Sequence, residues 1–164
     1  MRKIQLGVSN LTVPVIAVGC MRINRLSPLE AENFVHTALS LGANFFDHAD
    51  IYGGGECEEL FARAVDMRSS FRDKIILQSK CSIRNGYYDF SKEYILESVD
   101  GILKRLNTEY LDILLLHRPD TLMEPEETAE AISILKRTGK VRYFGVSNQN
   151  AMQIELLQKY CEER

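Results

Sequence analysis

Short apolar runs alternate along the chain with longer stretches in which apolar residues recur every three or four positions. The short runs predict strands, and their nearly all-apolar character is typical of strands buried on both faces of a parallel sheet. The longer stretches predict amphipathic helices. The predicted strands cover residues 15–19, 44–46, 74–79, 111–116 and 141–146, and the predicted helices cover residues 28–41, 56–65, 91–106, 125–137 and 150–160. Five successive strand–helix units predict a parallel sheet with right-handed crossovers.

The first predicted helix has the clearest boundary signals in the sequence. Ser27 and Glu30 have the spacing of a capping box, and Pro28 stands where a missing N–H group has no cost. Gly42 follows the last apolar position and predicts the end of the helix.

Upstream of these units, residues 2–14 predict a β-hairpin. Residues 4–6 and 11–13 are short apolar runs, and residues 7–10 form a turn-rich connection between them. Five βα units are compatible with an open doubly wound sheet and with part of a (β/α)8 barrel, which normally needs about 250 residues. The hairpin, together with polar residues at the strand ends, favours an incomplete α/β barrel of about five βα units.

No linker divides the sequence, so one domain is expected over residues 1–164, with the hairpin in residues 1–14 and the five βα units in residues 15–164. The chain is 45% hydrophobic with a net charge of -3, which is ordinary for a soluble globular protein. Basic residues are scattered among acidic ones, so neither a nucleic-acid nor a membrane partner is expected. The N-terminus lacks the apolar region of a signal peptide, and a cytoplasmic protein is expected.

The four cysteines form neither a C-x-x-C pair nor a zinc pattern, and no metal site is predicted. Their spacing does not indicate a disulfide framework, so reduced thiols are expected. They are Cys20, Cys57, Cys81 and Cys161.

Polar side chains follow four of the predicted strands, at the point where each strand ends. They recur at intervals of about one βα unit. They are Asp47, Lys80, His117, and the pair Ser147 and Asn148. Tyr52 lies on the glycine-rich loop that follows Asp47. Because the carboxyl ends of parallel strands meet at one rim of a barrel, we expect these side chains to lie close together.

This set of residue types is suited to the reduction of a carbonyl group. The phenol of a tyrosine has an ordinary pKa near 10, and a lysine ammonium nearby favours the phenolate. An aspartate beside the lysine keeps it charged and oriented. A tyrosine and a neutral histidine can polarise a carbonyl, and the tyrosine can protonate the alkoxide as it forms. No side chain supplies a hydride, so the chemistry requires a nicotinamide cofactor.

Each residue also has a structural explanation when it is considered alone. Asp47 can cap a helix or pair with a cation, and Lys80 can be an ordinary rim lysine. His117 follows an apolar run and can be a satisfied buried histidine, while Tyr52 can simply pack within its loop. The functional interpretation therefore depends on the combination of the four residues.

Four segments carry a resemblance to a known family. Residues 46–53 (Phe-Asp-His-Ala-Asp-Ile-Tyr-Gly) and residues 139–148 (Gly-Lys-Val-Arg-Tyr-Phe-Gly-Val-Ser-Asn) are the most specific of them. Residues 78–80 and 111–117 contain the lysine and the histidine. With these segments the chain resembles the aldo-keto reductases over essentially its whole length, and it looks most like the bacterial-type members.

The resemblance implies NADPH-dependent reduction of a small aldehyde or ketone on a barrel whose base is plugged by the hairpin. It implies the catalytic set Asp47, Tyr52, Lys80 and His117. It also implies a cofactor-binding set that includes Asp47. The remaining cofactor-binding residues would be Ser147 and Asn148 at the nicotinamide carboxamide, and Gly19, Cys20 and Met21 near the nicotinamide.

The family barrel has eight strands, whereas this sequence accounts for five. In the family, the remaining part binds the cofactor phosphates and forms much of the substrate pocket, so weak or absent NADPH binding is expected of this chain. Its open strand edges are expected to favour self-association. Two alternatives to a reductase stay open: a non-catalytic, nicotinamide-sensing auxiliary subunit with the same fold, and an inactive fragment.

Overall fold

A computed structural model describes residues 1–162, with only the backbone of Ser69. Glu163 and Arg164, the last two residues of the expected domain, lie outside the described residues. The strands are β1 (Lys3–Gln5), β2 (Thr12–Pro14), β3 (Val18–Gly19), β4 (Phe45–Asp47), β5 (Ile76–Cys81), β6 (Leu111–Leu116) and β7 (Val141–Val146). The helices are α1 (Pro28–Ser40), α2 (Glu56–Ala64), α3 (Ser69–Arg72), α4 (Lys92–Leu106), α5 (Pro125–Arg137) and α6 (Ala151–Glu162).

The sheet topology confirms the predicted hairpin and the succession of βα units. Strands β1 and β2 pair antiparallel, and β3 to β7 form a parallel sheet in sequential order. The capping box of α1 is also present, because Glu30 Oε2 accepts the Ser27 N–H at 2.8 Å and Ser27 Oγ accepts the Glu30 N–H at 3.4 Å. Strands β6 and β7 and helix α5 have the predicted bounds.

The first strand of the parallel sheet is shorter than predicted. Residues 15–19 were expected to form a strand buried on both faces, but only Val18 and Gly19 pair with β4. Val15 and Ile16 are 40% and 58% exposed. The Val15 N–H donates to the Arg2 carbonyl at 3.1 Å, so the chain stays bonded to the hairpin before it joins the sheet.

Other boundaries also differ from the sequence-based prediction. Strand β4 covers Phe45–Asp47 where residues 44–46 were predicted, so Asp47 is the last residue of the strand and does not follow it. Strand β5 continues to Cys81, so Lys80 lies inside the strand and not after it. The short helix α3 was not predicted, because four residues are too few to show a helical period.

The two faces of the parallel sheet pack against different partners. Phe45, Ile76 and Ile113 form one apolar cluster with Val13 of the hairpin. The strand residues that alternate with them belong to the main core, which also contains residues of α1, α2, α4, α5 and α6. Helices on one face, sequential strand order and a hairpin on the other face are typical of a barrel wall and exclude a doubly wound sheet for this part of the chain.

The parallel sheet is open and has two edges among the residues described. Within residues 1–162, β3 pairs only with β4, and β7 pairs only with β6. Over the same residues, every helix is too short or too polar to cross a bilayer.

A buried carboxylate joins α3 to the outer face of the sheet. Asp112 Oδ2 accepts Arg72 Nη2 at 2.7 Å and the Leu77 N–H at 2.9 Å, while its Oδ1 accepts Arg142 Nη1 at 3.1 Å. The Arg72 and Arg142 guanidiniums lie over the ring of Tyr110 at 3.8 and 3.9 Å. Because Arg72 is buried, loss of Asp112 would leave its charge without its carboxylate partner.

Replacement of Asp112 by alanine is therefore expected to lower the free energy of unfolding by about 3–5 kcal/mol. Ser27→Ala, which removes an exposed helix cap, is the matched control and should lower it by about 1 kcal/mol. Urea denaturation followed by circular dichroism measures both. Equal losses in the two variants would contradict a stabilising role for the buried ion pair.

Candidate active site

Strand alternation places three of the predicted polar residues on the inner face of the sheet. Asp47 is two residues beyond Phe45 on β4, and Lys80 is four residues beyond Ile76 on β5. Side chains at even spacing along a strand share a face, so both follow the inner apolar cluster toward the carboxyl end. His117 comes directly after β6, and its N–H continues the ladder by donating to the Cys81 carbonyl at 2.8 Å.

The Lys80 ammonium connects these elements. Its Nζ lies 2.7 Å from Asp47 Oδ1 and 2.8 Å from Oδ2. It also donates to the His48 carbonyl at 2.8 Å and to Tyr52 Oη at 3.2 Å. The Lys80 residue is only 6% exposed. A buried ammonium thus has oxygen acceptors from β4 and from the loop that follows it.

Tyr52 lies between Lys80 and His117. Its N–H donates to the Ala49 carbonyl at 3.0 Å, which turns the loop back over the end of β4. Its ring meets the His117 ring edge-on, with 6.0 Å between centroids and 82° between planes. The structure therefore brings together Asp47, Tyr52, Lys80 and His117.

The His117 imidazole is uncharged at neutral pH. Partial burial lowers its pKa to about 4, and the nearby Lys80 and Arg118 cations act in the same direction against Asp47. Its Nδ1 is buried without a hydrogen-bond partner among the described residues. A neutral imidazole can donate a hydrogen bond to a carbonyl oxygen without carrying charge into the site.

Gln78 is a site residue that the sequence-based reasoning missed. Its Nε2 donates to Asp47 Oδ1 at 2.5 Å, and the two residues are register partners on β4 and β5. Gln78 precedes Lys80 by two positions and so shares its face of the strand. That spacing was a usable signal for a polar neighbour of the carboxylate.

A buried polar network lies behind the loop that carries Tyr52. Glu58 accepts the Ser79 hydroxyl at 2.7 Å and Arg105 Nε at 2.7 Å, and burial raises the pKa of its carboxyl group. Gly55 has φ = 101°, and a Cβ there would lie 2.7 Å from Arg105 Cδ. Glycine at position 55 therefore allows both the left-handed turn of the loop and the close approach of Arg105.

The predicted cofactor-binding residues fall on two flanks of the site. Gly19 pairs with Asp47, and Cys20 is buried beside it with its N–H on the Asp47 carbonyl at 2.9 Å, while Met21 is exposed. On the other flank, Asn148 Nδ2 donates to the His117 carbonyl at 3.1 Å and to Ser147 Oγ at 2.7 Å.

The cysteines are free, as expected from their spacing. Burial raises the pKa of the thiols of Cys20 and Cys81, although Cys81 follows Lys80 directly in sequence. Both thiols therefore stay protonated at neutral pH.

Comparison with known proteins places this geometry in a family. The aldo/keto reductase family model matches residues 15–163. YcsN of Bacillus subtilis, an uncharacterised oxidoreductase, is 42% identical, and the match covers 100% of this chain and 58% of YcsN. A 6-dehydroglucose reductase of Novosphingobium aromaticivorans is 37% identical, with 98% of this chain and 56% of the relative covered.

A non-enzymatic description occurs among the relatives as well. A probable voltage-gated potassium channel subunit beta of Arabidopsis thaliana is 33% identical, and the match covers 91% of this chain and 47% of that protein. The chain spans about half the length of the curated relatives that it matches.

Among solved structures, the aldo-keto reductase AKR11C1 from Bacillus halodurans, in its holo form, superposes with a TM-score of 0.87 at 35% identity. The match covers 98% of this chain and 54% of that one, so the five βα units correspond to part of the family's (β/α)8 barrel. The family model extends over nearly all of the sequence. The chain therefore belongs to the aldo/keto reductase family.

Proposed function

We propose that this chain carries the catalytic residues of an NADPH-dependent reductase that converts a small aldehyde or ketone to an alcohol. One observation carries the proposal: the Lys80 ammonium lies within hydrogen-bond distance of both Asp47 carboxylate oxygens and of Tyr52 Oη. Tyr52 therefore places a phenol, the proton donor of this proposal, in contact with a fixed cation.

In this proposal, Tyr52 and His117 bind the carbonyl oxygen of the substrate from two sides. Their rings meet edge-on with 6.0 Å between centroids, so the two side chains are direct neighbours. Tyr52 donates its proton to the oxygen as negative charge develops there, and the Lys80 cation stabilises the phenolate that is left. Asp47 holds the Lys80 ammonium in place, and Gln78 in turn holds the Asp47 carboxylate.

The residues of the rim fit the nicotinamide end of the cofactor, which supplies a hydride when bound. Ser147 and Asn148 bring a hydroxyl and an amide to one flank, and Asn148 is exposed. At Gly19, on the other flank, the position of a Cβ has no neighbouring atom within 4 Å, so a flat ring can approach the backbone. Asp47 and the exposed Met21 complete this proposed cofactor surface, whereas Cys20 is fully buried and is not part of it.

The Arabidopsis relative favours a second candidate, a non-catalytic auxiliary subunit that binds a nicotinamide cofactor and a partner protein. Such a subunit can keep all four side chains of the site. Turnover of a carbonyl substrate distinguishes the two candidates, because only the reductase consumes NADPH stoichiometrically with the substrate.

Tyr52→Phe is expected to lower kcat by about 10²–10⁴-fold, because it removes the proton donor but keeps the ring. The assay follows NADPH absorbance with an aromatic aldehyde in a chimera of residues 1–162 and the C-terminal part of AKR11C1. Tyr88→Phe, which alters an exposed phenol outside the site, should leave kcat unchanged. Undiminished turnover in Tyr52→Phe would rule out the assigned acid.

NADPH is expected to bind this chain alone at least about tenfold more weakly than it binds the chimera. The physical reason is that the family's phosphate-binding part is supplied only in the chimera. The chain has no tryptophan, so nicotinamide fluorescence can be titrated against a low background. A chimera that folds but does not bind NADPH would contradict the reductase proposal.

A further inference from the structure

Ser82, two residues beyond Lys80, has an unusual backbone conformation. Its φ is 128°, a value that residues with a side chain rarely adopt, and it is fully buried. Glycine adopts such a conformation readily. A serine in this conformation stores backbone strain, so a compensating interaction of its side chain is expected.

The Ser82 hydroxyl bonds both backbone polar groups of Arg118. Oγ accepts the Arg118 N–H at 3.0 Å and donates to the Arg118 carbonyl at 3.2 Å. The backbone of β5 turns away at this point, where the Ser82 carbonyl accepts the Asp89 N–H at 2.9 Å. The side chain of Ser82 thus replaces the ladder bonds that β5 no longer supplies to the segment after β6.

The residue directly before Arg118 is His117, and its backbone groups are also bonded. Its N–H donates to the Cys81 carbonyl at 2.8 Å, and its carbonyl accepts Asn148 Nδ2 at 3.1 Å. All four backbone polar groups of residues 117 and 118 therefore have partners, and two of these four bonds depend on one hydroxyl. Asn148, with φ = 61°, completes the arrangement from the segment that follows β7.

We propose that Ser82 is a positioning residue for His117: its hydroxyl fixes the backbone that places the imidazole beside Tyr52 and Lys80. The catalytic consequence rests on the proposed reductase function, whereas the effect on the imidazole does not. Strain at position 82 is retained because the hydroxyl must point at Arg118, which glycine cannot achieve.

The imidazole itself reports its position. The pKa of the imidazole is lowered to about 4, first by partial burial and then by the cations of Lys80 on β5 and the adjacent Arg118, while Asp47 of β4 acts in the opposite direction. The Tyr52 ring packs against the imidazole. An imidazole released from this place becomes more hydrated and moves away from the Lys80 cation. Its pKa then rises toward the ordinary value of about 6.5.

The test is an NMR titration of the imidazole C–H resonances in the 164-residue chain. The sequence contains three histidines, and the His117→Gln spectrum assigns the resonance. Ser82→Ala removes the hydroxyl and keeps a side chain at the strained φ, whereas Ser82→Gly removes the hydroxyl and relieves the strain. Thr128→Val, which removes a buried hydroxyl bonded to the Phe90 carbonyl at 3.0 Å, is the control for a general loss of stability.

Both Ser82 variants are expected to raise the pKa of His117, while Thr128→Val leaves it at its original value. Ser82→Gly should be the more stable of the two Ser82 variants in urea, and it keeps the test valid if Ser82→Ala does not fold. An unchanged His117 titration in a folded Ser82 variant would overturn the proposal. A shift of the His117 pKa in Thr128→Val as large as in the Ser82 variants would also overturn the proposal.

Turnover of the chimera separates this inference from the proposed function. Ser82→Gly should lower kcat by about tenfold with a smaller change in KM, because the imidazole acts on the reacting carbonyl. A shifted His117 titration in a chimera without any carbonyl turnover would keep the positioning role and refute the reductase. Normal turnover together with a shifted titration would refute the catalytic consequence.

Discussion

The burial of the Lys80 ammonium is the constraint on which the rest of the site depends. Removing an ammonium from water costs several kcal/mol unless its hydrogens and its charge find partners. Here the partners are both oxygens of Asp47, the His48 carbonyl and Tyr52 Oη. The ion pair therefore determines where β4, β5 and the loop after β4 can lie relative to one another at the rim.

The geometry of parallel strands explains how a simple sequence pattern brings the polar residues of the site together. Successive strands end at the same edge, and alternation directs every second side chain to the inner face. The apolar cluster of Phe45, Ile76 and Ile113 fixes that face at the base, with Val13 of the hairpin packed against it. Polar residues placed two or four positions further along each strand then converge, and Lys80 and Asp47 meet for that reason.

Much of the fold was predictable from the sequence, because the spacing of apolar residues indicates which positions are buried and therefore which face of each strand points to the core. Strand β6 and helix α5 have their predicted bounds. Asp47, Lys80 and His117 from the strand ends lie together with Tyr52 from the loop after β4. The first strand was not predictable, because its apolar residues Val15 and Ile16 are exposed and Val15 is hydrogen-bonded to the hairpin. An apolar run alone does not reveal which neighbour the backbone will choose.

The supporting residues of the site were missed for a different reason. Gln78 and Ser82 act through hydrogen bonds between distant parts of the chain, and a single polar side chain carries no periodic signal. Ser82 also depends on a positive φ, which propensity assigns to glycine or asparagine and not to serine. Local rules fail here because the interactions at the site override them.

The central claim is that Lys80 acts through Tyr52, and a double-mutant cycle on turnover tests it most directly. The rate of carbonyl reduction by the chimera is measured for Lys80→Met, Tyr52→Phe and the double variant. If the lysine acts through the tyrosine, the double variant should be scarcely slower than Tyr52→Phe alone. Losses that multiply, so that the double variant shows the product of the two single effects, would contradict the account.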